Sequence, residues 1–217
     1  MNFKKINIAL WGFGNHASKR IFKSLKNSNK VNLVGICSRK PNNFKDKKKF
    51  KNLTIWNNHK DMLMSESVHA VYICTPTGLH YENAQISLEH KKHVICEKPL
   101  TNNYQKTRKL INLAKKNKKI IFEAFMYKFH PQWRYLNNII SSNKLGNIFQ
   151  IDSKFGIPEL NYDSFRNKKI LGASSIWDLL YYPISALVFL KLNKIKIINK
   201  NIHYKNKIDV KGNVNLL

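Results

Sequence analysis

Gly12-Phe13-Gly14-Asn15-His16-Ala17 lies between an apolar run, Lys5–Trp11, and a helical pattern, Ser18–Leu25. This is G-x-G-x-x-A in the strand–turn–helix setting that separates a phosphate loop from a chance pair of glycines. Gly12 permits a tight turn, Gly14 lets a pyrophosphate come close to the backbone, and Ala17 lets the helix sit against the sheet. The free N–H groups and the dipole at a helix N-terminus favour an anion there. The competing reading is a glycine turn with no ligand. Val31–Cys37 reads as the second strand. At its end, where folds of this kind read the ribose with a carboxylate, the chain has Ser38-Arg39-Lys40. A hydroxyl and two cations suit a 2′-phosphate, and the planar Arg39 guanidinium also has the shape to stack on adenine. The expectation is NADP, with NAD as the alternative.

The pattern repeats outward from that loop. Pro41–Asn52 is polar and lysine-rich, Thr54–Trp56 a short strand and Lys60–Ser65 a short helix. Ala70–Cys74 is a strand running into Thr75-Pro76-Thr77-Gly78-Leu79-His80, and Tyr81–His90 a helix. That turn falls at the same sheet edge as the glycine loop, and His80 reads equally as a cap, a cofactor contact or a structural residue. His93-Val94-Ile95-Cys96-Glu97-Lys98-Pro99-Leu100 begins as a buried strand, and Pro99 stops it near Lys98. A lysine at the carboxyl end of such a strand stands where open α/β sheets bind ligands. Partial desolvation there suits it to give or take a proton; the plainer reading is a solvated strand-end lysine. Asn102–Lys116 has helical spacing with Leu110, Leu113 and Ala114 on one face, and Ile120–Glu123 is a further strand. Alternating strands and helices predict a parallel, doubly wound sheet.

After Glu123 the character changes. Ala124-Phe125-Met126-Tyr127-Lys128-Phe129-His130-Pro131-Gln132 is an aromatic crossing, followed by a helix over about Gln132–Ile140. Gly146–Phe155 reads as a strand of a second sheet. Gly172-Ala173-Ser174-Ser175 feeds a helix, Ile176–Leu190, that carries Trp177, Asp178, Tyr181 and Tyr182. Ile195–Tyr204 and Ile208–Leu217 alternate like antiparallel strands. The expected division is 1–123 for a dinucleotide-binding domain and 124–217 for a substrate and oligomerisation domain.

Composition sets further bounds. The chain has 217 residues, 43% of them hydrophobic, enough for a sizeable core. No apolar run approaches the roughly 18 residues of a membrane span, and Gly12 and Gly14 interrupt the only run near the N-terminus, so neither a membrane partner nor a signal peptide is expected. Cys37, Cys74 and Cys96 fall in or beside predicted strands without metal-site spacing. No metal is expected, and free buried thiols fit a reducing, cytoplasmic compartment. Lys and Arg number 39 against 12 Asp and Glu, a net charge of +27. The lysines are spread along the chain among Asn and Ile, which share A/T-rich codons with Lys, so the expectation is no nucleic-acid partner. The charge still draws anions in.

The glycine loop at 12–17, Thr75 to His80, Glu97-Lys98-Pro99, Met126 to Pro131 and Gly172 to Pro183 occur in one order, and over essentially its whole length the chain resembles the glucose–fructose oxidoreductase / inositol dehydrogenase / MocA-type family. The resemblance implies a Rossmann domain followed by an α+β domain with an open, mainly antiparallel sheet. It implies NAD(P)-dependent hydride transfer on a sugar, polyol or nucleotide-sugar. By the same resemblance Lys98, Asp178 and Tyr182 are catalytic, and Tyr182-Pro183 follows a dihydrodiol- and xylose-dehydrogenase-like subgroup, where other members have His. Gly12, Phe13, Gly14, Asn15, His16, Ser38, Arg39, Thr75, Pro76, Thr77, Leu79, His80, Glu97 and Lys98 are the expected cofactor residues. Tyr127, Phe129 and Trp177 are the expected substrate residues. Asp178 and Tyr182, at i and i+4, share a helical face. A cation beside the tyrosine lowers its pKa, so Lys98 and Tyr182 make an acid/base pair; a packed aromatic is the other reading of Tyr182. Two departures are the degraded loop Gly172-Ala173-Ser174-Ser175 and Leu180, where the subgroup often has Gly. The chain stops at Val214-Asn215-Leu216-Leu217, earlier than the family does, which reads either as a fragment with a truncated second sheet or as an incomplete second domain that needs a partner. In a full-length chain the second sheet is the expected surface for a homo-oligomer. The alternative function is a dinucleotide-binding or sensing protein without turnover, or an inactive fragment of the enzyme.

Overall fold

Ile6–Trp11 forms strand β1, and its buried residues alternate between two cores: Ala9 and Trp11 join one cluster, Ile8 and Leu10 the other. A strand apolar on both faces belongs in the middle of a sheet with layers on either side. β4 (Ala70–Ile73) behaves likewise, with Val71 and Ile73 on one face and Ala70 and Tyr72 on the other. The computed structural model describes residues 5–44, 48–158, 164–191 and 195–217. The chain divides into two units, Met1–Ala124 and Phe125–Leu217.

In the first unit β1, β2 (Val31–Cys37), β3 (Thr54–Trp56), β4, β5 (His93–Cys96) and β6 (Ile121–Glu123) pair in the order β3-β2-β1-β4-β5-β6, all parallel. The reversal of order between β1 and β4 opens a crevice at the carboxyl ends of the strands. α1 (Phe22–Lys26), α2 (His59–Met64), α3 (His80–Glu89) and α4 (Tyr104–Lys116) cross between strands. α2 and α4 are capped by Asn58 and Asn103, each accepting a backbone N–H three residues on. α4 turns Leu110 and Ala114 inward and leaves Lys106, Lys109, Lys115 and Lys116 on its outer surface. The first crossing is not a plain α-helix: a π-helical turn, Ala17–Ile21, precedes α1. Pro41–Phe44 and Lys48–Phe50 are short 3₁₀ turns whose Phe44 and Phe50 close the core edge.

The second unit holds α5 (Pro131–Ser141), a π-helical turn (Ile176–Leu180) continuing into α6 (Tyr181–Phe189), and an antiparallel pair, β7 (Ile197–Lys205) and β8 (Ile208–Leu216). Asn206 and Lys207, both at positive φ, make the two-residue turn that right-twisted hairpins prefer. The strand expected over Gly146–Phe155 is not formed. The segment is irregular, and Phe149, Ile151 and Phe155 are exposed. Alternation supplies a face, but a strand also needs a ladder, and among the described residues this one has none. No helix among the described residues is long and apolar enough to cross a membrane.

Candidate active site

The chain turns after β1 at Gly12, with φ +92°. A Cβ there would lie 3.0 Å from the carbonyl carbon and oxygen of Cys74 and the nitrogen of Thr75. Glycine takes this φ without strain and lets the turn after β1 touch the turn after β4. At Gly14 the surroundings differ: an added Cβ meets nothing within 4 Å. Backbone facing open space ahead of a helix is what a dinucleotide pyrophosphate needs. The helical ladder starts with Ser18 N donating to Gly14 O at 2.9 Å, so the N–H groups before Ser18 have no intrahelical acceptor. Ala17 is buried against the sheet. The partly buried Phe13 ring packs edge-on against Phe22, Phe44 and Phe50.

At the end of β2, Ser38 N donates to Trp56 O (2.9 Å) and Ser38 Oγ accepts from Lys40 N (3.2 Å). This turn presents Arg39 exposed, with no acidic partner among the described residues. It fits a 2′-phosphate.

Cys96 ends β5, and the turn after it is fastened from several elements. Glu97 N donates to Ile73 O (3.0 Å), and Glu97 Oε1 accepts from the Tyr72 hydroxyl (3.0 Å) and meets His16 Nε2 (3.0 Å). Glu97 thereby ties the glycine loop to the end of β5. The Lys98–Pro99 peptide is cis. Pro99 O lies 2.7 Å from His80 Nδ1, Leu100 N donates to Glu123 Oε1 at 2.5 Å, and the Thr101 hydroxyl meets Asn103 O and Thr107 Oγ1, each at 2.7 Å. Lys98 is half-buried between these fixed neighbours, at the carboxyl end of β5. Burial first, then the Glu97 charge, push the Tyr72 phenol far above its ordinary range, so it remains a donor to Glu97. Burial and then Asp61 push the Cys37 thiol up to about 12, which makes it an inert core residue.

The Thr75 turn is held from inside. Thr75 Oγ1 accepts from Asn83 Nδ2 (2.9 Å), Thr75 O lies 2.8 Å from His80 Nε2, and Leu79 N donates to Pro76 O (2.9 Å). His80 is 1% exposed. Its two ring nitrogens face the backbone carbonyls of Pro99 and Thr75, and it opens α3, which favours the structural one of the readings the sequence left open.

In the second unit, Asp209 at the start of β8 caps the helix that carries Asp178. Its Oδ2 accepts from Ile176 N (2.7 Å), Ser174 Oγ (2.9 Å) and Ser175 Oγ (3.1 Å). A carboxylate at a helix N-terminus is favoured by the dipole and by the unpaired N–H groups. The Asp178 carboxylate is ion-paired with Arg166 Nε. The Tyr182 ring stacks on Phe155 (centroids 4.6 Å) and sits 5.6 Å from the Tyr127 ring. The Tyr127 hydroxyl is hydrogen-bonded to that of Ser185, and burial raises its pKa. The structure thus brings Tyr127 and Tyr182 into one aromatic cluster. Trp177 packs beside Tyr181, 6.1 Å between rings, and Phe129 is 63% exposed.

Sequence reasoning missed Tyr72, Asn83, Glu123, Arg166 and Asp209. Asn83 acts on Thr75, eight residues away, and the others on residues further along the chain; only Glu123, an acid ending a strand, carried a local signal.

Comparison with known proteins agrees with this geometry. The family described as an oxidoreductase family with an NAD-binding Rossmann fold matches residues 6–125. A dTDP-3,4-didehydro-2,6-dideoxy-alpha-D-glucose 3-reductase of Saccharopolyspora spinosa is 25% identical over 213 residues, 97% of this chain and 64% of that protein. The NADP-dependent scyllo-inositol 2-dehydrogenase of Bacillus subtilis is 32% identical over 138 residues, 60% of this chain and 42% of its own length. A 3-ketoreductase from Actinomadura kijaniata, solved with NADP and TDP-benzene, superposes with a TM-score of 0.91 at 25% identity, over 98% of this chain and 66% of that one. The chain thus spans slightly under two thirds of the length of the relatives it matches along its whole extent. With its glycine turn, its parallel six-stranded sheet and the family match across both, the chain belongs to the glucose–fructose oxidoreductase / inositol dehydrogenase / MocA family of NAD-binding oxidoreductases.

Proposed function

We propose that this protein is an NADP-preferring oxidoreductase that moves a hydride between the nicotinamide and a ring carbon of a sugar, polyol or nucleotide-linked sugar. The observation that carries the reading is Lys98, half-buried at the carboxyl end of β5, with Glu97, Pro99 and Leu100 all held in place. When bound, the nicotinamide supplies or accepts the hydride. The chain's own task is to hold the carbon and manage the proton on its oxygen. Lys98 is assigned that proton, with its ammonium stabilising negative charge that develops on the oxygen. Tyr182 is assigned as the partner acid/base, and Asp178, oriented by Arg166, as a substrate-hydroxyl acceptor. Tyr127, Phe129 and Trp177 supply aromatic faces of the kind that pack on sugar rings. Gly14 and the helix behind it receive the pyrophosphate, and Ser38 with Arg39 the 2′-phosphate. The names of the Saccharopolyspora and Bacillus relatives, a reductase of a nucleotide-linked keto-sugar and a dehydrogenase of an inositol, support this substrate class.

The test is NADPH oxidation by the full chain against a panel of free and nucleotide-linked keto-sugars, beside Lys98→Met. Turnover by the native chain that the variant loses, while NADPH binding persists, supports the assignment. NADPH binding with no turnover on any substrate makes it a dinucleotide-binding protein instead.

A further inference from the structure

His80 is the first residue of α3 and has almost no contact with solvent. Its two ring nitrogens face two backbone carbonyls, Thr75 O at 2.8 Å and Pro99 O at 2.7 Å. A carbonyl only accepts. A neutral imidazole has one N–H and one lone pair, so it serves one of these carbonyls and sets its lone pair against the other. Both contacts are hydrogen bonds only when the ring carries two protons.

We infer that His80 is a positioning residue which, as an imidazolium, donates to Thr75 O and Pro99 O together and so fastens the turn after β4 to the turn that carries Lys98. The two anchored residues stand in the turns that the functional reading assigns to the cofactor and to the proton, and the role of His80 in catalysis rests on that reading. Asn83 reaches the first turn at Thr75, and Glu123 reaches the second at Leu100; the His80 ring reaches both.

The charged groups acting on the ring are Glu97 and Lys98. Burial pulls its pKa below the ordinary histidine value and is the largest influence. The two carbonyls and Glu97 pull the other way, and Lys98 adds to the lowering. The second bond is therefore made as pH falls through a midpoint below that of an exposed histidine. Above it one of the two carbonyls is released, and the join between the Thr75 turn and the Pro99 turn loosens.

The experiment is ¹⁵N histidine NMR of the full chain over about pH 5 to 8, with amide exchange at Leu100 corrected for intrinsic pH dependence. His80→Gln serves as the variant, because its amide reaches one carbonyl at most. The expected result is a His80 ring with both nitrogens protonated at the acid end, and Leu100 exchange about tenfold slower there than above the midpoint. In His80→Gln that pH dependence is absent. If the chain oxidises NADPH, kcat in the native protein carries the same limb, the variant lacks it, and KM for NADPH changes less than twofold. A His80 ring that stays neutral to the acid end, or Leu100 exchange indifferent to its protonation, overturns the inference. The NMR and exchange readings need no turnover, so a chain that fails to oxidise NADPH removes the functional reading and still decides the clamp.

Discussion

The two units hold their candidate site residues by different physics. Around Lys98 the first unit uses hydrogen bonds from side chains on separate elements: Tyr72 on β4, His16 before α1, His80 on α3 and Glu123 on β6. In the second unit Tyr182 is held by rings, with Phe155 stacked on it and Tyr127 alongside, and Asp178 by its ion pair with Arg166. Polar clamps fix direction, because a hydrogen bond weakens steeply with angle. Ring packing fixes position and tolerates rotation. The contrast teaches that a flexible lysine at a loop needs its backbone pinned, while a stiff tyrosine on a helix needs only a place to lean.

Replacing both groups puts that contrast to work. Lys98→Met removes charge and proton while the neighbouring residues keep the backbone in place, so kcat should fall by about 10²–10⁴ with NADPH affinity nearly unchanged. Steady-state kinetics beside a binding titration reads this; near-native kcat in a folded protein sinks the assignment. Tyr182→Phe keeps the ring on Phe155 and deletes one hydroxyl. A kcat loss toward the lower end of the same range, about 10², is expected if the tyrosine handles the proton, and a change below threefold makes it a packing residue.

Asp209→Ala sharpens the comparison on the side of stability. It strips one acceptor from three donors at the head of the helix that carries Asp178, and about 1.5–3 kcal/mol is expected. Urea unfolding measures it, and an unchanged midpoint would mean water replaces the cap. Arg39→Ala touches neither clamp nor ring cluster. NADPH should weaken by roughly 1.5–3 kcal/mol, at the lower end for so exposed a side chain, and NADH much less. Equal losses for both cofactors would place Arg39 on the adenine.

The smallest effect concerns His93, whose Nδ1 accepts from Ile120 N at 3.0 Å and so cannot also take a proton. Its pKa is lowered by burial, then by Lys119 and His69. A histidine lowered in the folded state favours folding fully above its unfolded pKa of about 6.5, and the contribution drains away as pH falls toward the folded value. A modest drop in the urea midpoint between about pH 7 and 5.5, absent in His93→Gln, is the expected outcome; identical slopes for the two proteins would dismiss it.

The strand–loop–helix order of the first unit was legible because its signals are local: β-branched runs, Gly12 and Gly14, and Pro99 after Lys98. The clamps were not, because they join residues far apart in sequence, as in Tyr72 with Glu97 or Ser174 with Asp209. His80 shows the limit best. A histidine opening a helix beside a ligand loop looks like a contact, and only its burial reveals that it faces inward. Gly146–Phe155 misled in the opposite direction, since alternation was present and a partner strand was not.

The contact of Gly12 with Cys74 and Thr75 also governs when the crevice can come into being. β7 and β8 are joined by two residues and can zip within microseconds of meeting. β1 and β4 are parallel neighbours, and the bond from Asn7 N to His69 beside them closes a separation of 62 residues. Such a closure costs chain entropy before it returns any contact energy, which makes it a slow step of assembly. A chain emerging from the ribosome therefore has no dinucleotide crevice until β4 has been made and has come home to β1. NADPH added to a refolding mixture should trap finished molecules without hastening their formation.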